Sequence, residues 1–573
     1  MNCLVLTILT VFISFYSFAG NGNRSKNYEE LIQAYQDLGE RFPGTANLIT
    51  AGKTDCGVPL HLFVISGTGI FDPDQLKKDQ LILFINNGIH PGEPDGMDAS
   101  FAFAEMMLIN PAMNTLLKKI VICIVPVYNI DGALQRGCCS RANQDGPESY
   151  GFRGNAKNLD LNRDFIKMDA LNTESLIELL RAWDPDVFVD THVSNGADYQ
   201  YTMTLISSQH DKMNSAMGAY MKNTLTPSLF TAMKKLKDEA TPYVNTYHES
   251  EIPDSGITAF LETPRFSSGY QALFNCFSFI SETHMLKPFP NRVQSTIHLL
   301  TVLATTSADR KDEIKAARKA ATVIDAKLTY YPINYRLDTT RVDALNFKGF
   351  TAVYKLSPVT ETQRLFYDRS KPFEKKIPLY DHYIAKDSIR IPSYYIVPQA
   401  WQAVITRLRK NHISMHQLES DTVVTTSDYF IDSFKTVSEP YEGHYLHHDV
   451  QTETILHQKK FQKGDYVIPV NGNNLRFLLE VLEPESVDSY FCWGFFDAVL
   501  QQKEWFSSYV FEDLAIEILK ENDGLKKEFE EFKKNKTDSD EFTRLYFIYR
   551  RSKYFEKETF RMYPIGRVME TKP

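Results

Sequence analysis

Between about residues 27 and 309, short apolar runs alternate with segments of helical period. The runs at residues 81–85, 120–125, 187–189 and 276–280 are nearly continuous and rich in β-branched and aromatic side chains. That is the pattern of strands buried on both faces. Residues 96–109 and 171–183 read as the intervening helices. Such alternation predicts an α/β fold built on a mixed, largely parallel sheet flanked by helices. Residues 308–324 read as one exposed, charged helix. The texture then changes: residues 327–397 alternate apolar and polar positions and are rich in Tyr, Thr and Pro, as in a β-rich region. A helix is expected over 398–413 and strand-like sequence to about 469. A mixed helical stretch containing Trp493 and Trp505 follows, with a charge-dense, solvated helical face over 520–536. The chain therefore divides into a first unit at 27–309, a β-rich accessory unit at 327–450 and a mixed C-terminal region at 451–573.

Composition sharpens this picture in a few places. At 573 residues the chain is too long for one ordinary core. A net charge of -9 argues against nucleic acid as the main partner. The apolar run at residues 4–18 ends in Ser17-Phe18-Ala19. It predicts a signal peptide over 1–19 cleaved after Ala19, although no Lys or Arg precedes it. The run is short for a membrane-spanning helix, which needs about 20 residues. The protein is thus expected to be secreted or periplasmic, with no membrane span after cleavage. Cys56, Cys123, Cys138, Cys139, Cys276 and Cys492 would remain, at spacings that match no C-x-x-C metal site. An export route permits disulfides, whose pairing the spacing leaves open. Cys123 and Cys276 sit inside apolar runs and read as core thiols.

Three polar clusters carry candidate chemistry. Asn87-Gly-Ile-His90-Pro-Gly-Glu93 follows the run at 81–85 and precedes a helix. Ligands at the carboxyl end of a sheet strand face the crevice in which α/β proteins bind substrates. The second cluster runs from Arg153 to Asp164 and includes Asp160, Asn162 and Arg163. The third, Asp190-Thr-His192-Val-Ser194, is expected in a loop directly after the run at 187–189. Together they supply two imidazoles and a carboxylate, a set that leaves zinc an open fourth position, as catalysis requires. Asp160 is a candidate acceptor for the outer nitrogen of a ligand histidine.

The order His-Pro-Gly-Glu, then Asp-Leu-Asn-Arg, then a strand ending in Thr-His resembles the zinc carboxypeptidase family (carboxypeptidase A-like metallopeptidases), whose zinc is held by two His and one Glu. The resemblance spans about residues 30–300 and makes 27–309 the catalytic domain. It implies one zinc ion per chain held by His90, Glu93 and His192, and peptide substrates. It implies that Asn162 and Arg163 bind the substrate's terminal carboxylate, that Arg153 stabilises the oxyanion and that Asp160 hydrogen-bonds the first zinc histidine. Family members carry Asn after the Asn-Arg pair; this chain has Asp164. The family's general base lies past a late strand, and both Glu282 and Glu262 qualify. Glu282 is preferred because Phe277-Ser-Phe-x-x-Glu resembles the stretch before the family's catalytic Glu. Tyr270, with Tyr247 as alternative, is the candidate for a mobile tyrosine over the substrate. His284 and Arg265 read as packing or surface residues, and His444, His447 and His448 as a surface loop. Segments such as residues 482–488 and 493–496 resemble long bacterial members with an extra C-terminal region. The same motifs also admit a zinc amidase acting on peptidoglycan stem peptides or N-acyl amino acids, or a non-catalytic binding protein on the same fold.

Overall fold

The computed structural model describes residues 22–249 and 251–569. The expected signal peptide at 1–19 lies outside them. Among the described residues, nine strands occupy the first half: β1 (Ala46–Ala51), β2 (Leu60–Ser66), β3 (Leu81–Asn86), β4 (Ile120–Val125), β5 (Val187–Ser194), β6 (Met203–Ser207), β7 (Thr241–Pro242), β8 (Ile257–Thr258) and β9 (Phe277–His284). All but β8 form one mixed sheet in the order β1-β2-β4-β3-β5-β9-β6-β7. Its centre is parallel: β3 pairs with β4 and β5, and β5 with β9. Its flanks include the antiparallel pairs β1–β2, β2–β4 and β6–β9. Every residue of β3, β4 and β5 is buried, which is why their apolar parts, residues 81–85, 120–125 and 187–189, read as unbroken runs. Helices Asp95–Ile109 and Phe289–Asp309 pack on each other and against the central strands, and Leu171–Trp183 packs against β2.

Two elements differ from the expectation. The parallel ladder between β5 and β9 continues in register from Val187↔Phe277 to Ser194↔His284. The polar cluster Asp190–Ser194 and Glu282 therefore lie on strands, not in the loops after them. Backbone pairing with a neighbour outlasted the apolar run that signalled each strand. The charged segment at 308–324 is not one solvated helix. Phe289–Asp309 ends at Arg310 and Lys311–Asp325 starts anew, burying Ile314 and Ala321 on one face.

The second half is β-rich, with two long antiparallel hairpins. Asp343–Leu356 pairs with Gln363–Tyr380, and Thr422–Thr436 with His447–Phe461. The short helix Leu475–Leu482 is buried along its whole length. Its side chains, with Trp493, Tyr395 and Tyr563, join the same apolar cluster as the central sheet. A buried ion pair, Arg476 Nε to Asp325 Oδ2 at 2.9 Å, spans the two halves. The helices Ser508–Glu521, Asp523–Asn535 and Glu541–Tyr549 build a separate cluster around Phe511 and Tyr549. Among the described residues, no helix is long and apolar enough to cross a membrane.

Candidate active site

The parallel centre of the sheet brings the three polar clusters to one end. His90 and Glu93 sit on the turn between β3 and the helix Asp95–Ile109; His192 and Glu282 are paired neighbours on β5 and β9. The helix start presses hard on β5. A Cβ at Gly96 would meet Thr191 Oγ1 at 1.9 Å, so only glycine fits beside the residue that precedes His192.

The three expected ligands converge. His192 Nδ1 lies 3.2 Å from His90 Nδ1 and 3.2 Å from Glu93 Oε2, and His90 Nδ1 lies 3.4 Å from Glu93 Oε1. Donor atoms about 2.0–2.1 Å from a tetrahedral zinc ion are about 3.3 Å from one another, so these spacings fit the ion. The outer nitrogens fit it too. His90 Nε2 is 2.9 Å from Asp160 Oδ1. His192 Nε2 is 3.1 Å from Asp190 Oδ2, close enough for an ion pair but not aligned as a hydrogen bond. Carboxylates behind both imidazoles turn their Nδ1 atoms toward the shared point. Burial opposes ionisation of Glu93, but His90 and Arg141 outweigh it and hold the carboxyl well below its ordinary value.

Around this point opens a cavity of about 550 Å³, lined by His90, Glu93, Arg141, Arg153, Asn162, Arg163, His192, Tyr243, Phe260, Phe266, Ile280 and Glu282 among others. Of the two carboxylates left open by the sequence, Glu282 faces this cleft. Glu262 is 1% exposed, accepts from Gln209 N at 2.8 Å and does not line it. Burial pushes the Glu282 carboxyl up to about 8. His192 opposes that rise and Glu93 adds to it. Arg153 donates twice to Asp160 Oδ2, at 3.0 and 2.8 Å, and reaches Glu93 Oε1 at 3.4 Å. Arg163 lies over the Phe266 ring at 4.5 Å and lines the cleft, with Nη1 donating to Asn162 O at 2.8 Å and 3.9 Å from Asp160 Oδ2. Asn162 is anchored by Ser267 N, which donates to its Oδ1 at 3.1 Å.

Asp164 turns inward. It accepts from Lys167 Nζ at 2.6 Å, Ala170 N at 3.0 Å and Thr173 Oγ1 at 2.5 Å, so its charge is spent inside the fold. Tyr270 does not join the site. It is fully buried, packs on Phe165 and Phe274, and donates to Asn411 Oδ1 at 2.6 Å. Tyr247 stacks on Tyr380 instead, and the tyrosine that lines the cleft is Tyr243. Arg141, absent from the sequence reading, donates to Glu93 Oε1 at 2.7 Å and Val193 O at 2.9 Å. These two partners are 48 and 52 residues away, and no motif surrounds it. Just before it, Cys138 and Cys139 form a disulfide, while Cys123 and Cys276 are buried free thiols.

The remaining histidines do not build a second centre. His444, His447 and His448 each find a carboxylate elsewhere: Asp169, Asp497 and Asp449. His447 is buried rather than in a surface loop. His210, Asp211 and His382 also approach one another. There, however, the Lys222 ammonium lies 2.7 Å from His382 Nε2 and 3.0 Å from Asp343 Oδ2. An Nε2 that accepts from lysine leaves the proton on Nδ1, the nitrogen facing Asp211, so that nitrogen has no lone pair for a metal.

The family model of the zinc carboxypeptidases matches residues 31–251. The chain carries a zinc carboxypeptidase domain. It is a metallocarboxypeptidase, a hydrolase of a family that uses zinc. The matched stretch contains His90, Glu93, Asp160, Asn162, Arg163 and His192; Glu282 lies beyond it. Carboxypeptidase 2 of Trichophyton equinum is 22% identical over 439 residues, covering 73% of this chain and 74% of that one. Carboxypeptidase B of Helicoverpa zea is 30% identical over 122 residues, covering 21% of this chain and 27% of its own. Among solved structures, a metallo-carboxypeptidase from Burkholderia cenocepacia is 16% identical and covers 49% of this chain and 68% of that one, with a TM-score of 0.37.

Proposed function

We propose that the carboxypeptidase is exported and removes C-terminal residues from peptides, with His90, Glu93 and His192 holding one zinc ion and Glu282 acting as general base. The observation that carries this reading is the shared cleft: the ligand triad, the Glu282 carboxylate and the guanidinia of Arg153 and Arg163 all line one cavity. Zinc, when bound, supplies a Lewis acid that activates water and polarises the scissile carbonyl. Glu282 takes the proton from the attacking water and passes it to the leaving amine. Arg153 faces the developing oxyanion. Arg163, with Asn162 beside it, pairs with the terminal carboxylate and sets which bond is cut. Export rests on the apolar run at residues 4–18.

The test compares peptides with free and amidated C-termini. The Arg163 side chain is 22% exposed. An amidated end removes the carboxylate partner but leaves Arg163 Nη1 donating to Asn162 O at 2.8 Å and 3.9 Å from Asp160 Oδ2, so the loss falls near the lower end of the range for a buried charge pair, about 2 kcal/mol, or roughly 30-fold in kcat/KM. Equal cleavage of both peptides would replace this reading with an endopeptidase or amidase. Binding without any turnover would make the chain a binding protein.

A further inference from the structure

The loop from Arg153 to Asp169 carries Arg153, Asp160, Asn162 and Arg163, and the second half of the chain grips it. At the tip of the hairpin formed by Thr422–Thr436 and His447–Phe461, Glu442 Oε2 accepts a hydrogen bond from the main-chain N of Asp160 at 2.7 Å. Further along the loop, His444 Nε2 lies 2.7 Å from Asp169 Oδ2, and Arg407 Nη2 lies 2.9 Å from Asp169 Oδ1.

Asp160 is where a small displacement would matter most. Its one carboxylate serves His90 Nε2 at 2.9 Å and Arg153 at 2.8 and 3.0 Å, and its Oδ1 also accepts from Asn162 N at 2.9 Å. The main-chain position of Asp160 therefore sets a metal ligand, the oxyanion arginine and the start of the Asn162-Arg163 turn together.

The tip that bears Glu442 is a tight turn. Tyr441 N donates to His444 O at 2.7 Å and His444 N to Tyr441 O at 3.1 Å, closing a two-residue turn. Glu442 has φ 51° and Gly443 φ 83°, both left-handed, as a type I′ turn requires. The first central position of such a turn favours Asn, Asp or Gly. A glutamate there accepts backbone strain that its side chain must justify elsewhere. The bond to Asp160 N is the hydrogen bond its carboxylate makes.

We propose that Glu442 is a positioning residue of the active site, acting through the main chain of Asp160 so that the C-terminal hairpin completes the metal and substrate sites. The part concerning Arg163 rests on the peptidase reading above. The part concerning His90 does not, and metal affinity reads it directly.

The experiment uses the full chain with Glu442→Ala, Glu442→Gln and Glu442→Asp. Zinc affinity is measured by chelator competition, KM and kcat on a peptide with a free C-terminus, and the melting temperature by calorimetry. Removing a direct partner of a metal ligand costs about 10–100-fold in affinity, and Glu442 acts one bond further out. Glu442→Ala is therefore expected to weaken zinc by about 3- to 10-fold and to raise KM more than it lowers kcat. Glu442→Gln should stay within about 2-fold of wild type, because its amide oxygen accepts the same N–H. Glu442→Asp keeps the charge but is one methylene short, and should resemble Glu442→Ala; it also decides the matter if the alanine variant fails to fold. Wild-type zinc affinity and KM in the alanine and aspartate variants would overturn the proposal. So would a glutamine variant as impaired as alanine. If wild type cleaves amidated and free peptides alike, the peptidase reading fails, while the zinc measurement still decides Glu442.

Discussion

Replacing Glu282 by Gln separates catalysis from folding and from metal binding. The side chain keeps its size and its place on β9, opposite His192. Among the described residues no hydrogen bond holds the carboxylate; Thr204 Oγ1 donates to the main-chain O at 3.1 Å, and the backbone is paired within the sheet. The substitution therefore orphans no donor, and the melting temperature should hardly move. The ligand atoms of His90, Glu93 and His192 are untouched, so zinc content should stay near one per chain. Turnover should collapse, because an amide cannot take the proton from the attacking water. Positioned acid–base groups contribute about 10²–10⁴-fold, or about 3–5 kcal/mol of barrier. Glu262→Gln is the internal control. Its carboxylate accepts from Gln209 N, which an amide oxygen can also do, and it does not line the cleft, so turnover should change by less than about 3-fold. The assay follows release of the C-terminal residue, alongside elemental analysis and calorimetry on both variants. A folded, zinc-loaded and inactive Glu262→Gln beside an active Glu282→Gln would refute the assignment. Full activity in both would refute the mechanism.

Three further outcomes are expected. His90→Ala and His192→Ala should each lose zinc, because two remaining ligands hold it poorly; full occupancy in both by elemental analysis would remove the triad. Tyr270→Phe should leave kcat and KM unchanged and cost about 1–3 kcal/mol by denaturant melts, because the buried Asn411 Oδ1 loses its donor; a large kcat effect would return Tyr270 to the site. Glu480 is buried, and burial pushes its carboxyl from an ordinary 4.5 up to about 7, against the pull of Lys212 and Tyr331. A raised carboxyl costs nothing below its unfolded value, and the cost grows as pH rises toward the folded one. Glu480→Gln should therefore match wild type near pH 4 and gain on the order of 3 kcal/mol above pH 7. A stability gap that does not grow with pH, measured by denaturant unfolding, would contradict the burial argument.

The sequence by itself determined what depends on neighbours within a few residues. His90 and Glu93 lie three apart on one Pro-Gly turn, and Asp160, Asn162 and Arg163 within four consecutive residues, so their chemistry is written in local spacing. The central strands were legible because burial on both faces demands unbroken apolar runs. Tertiary structure decided whatever depends on partners far along the chain. Where β5 and β9 end is set by their pairing with each other, which carried His192 and Glu282 onto strands. Glu282 and Glu262 both sit near strand ends in sequence, and only the packing turns one to the cleft and the other inward. Arg141 reaches Glu93 across 48 residues, and Glu442 reaches Asp160 across 282. Tyr270 has a polar tip that suits either a cleft or a core, and Asn411, 141 residues away, provided the partner that keeps it in the core. A hydrogen-bonding side chain states what it can bind, but which group lies within 3 Å of it is settled by how distant segments pack.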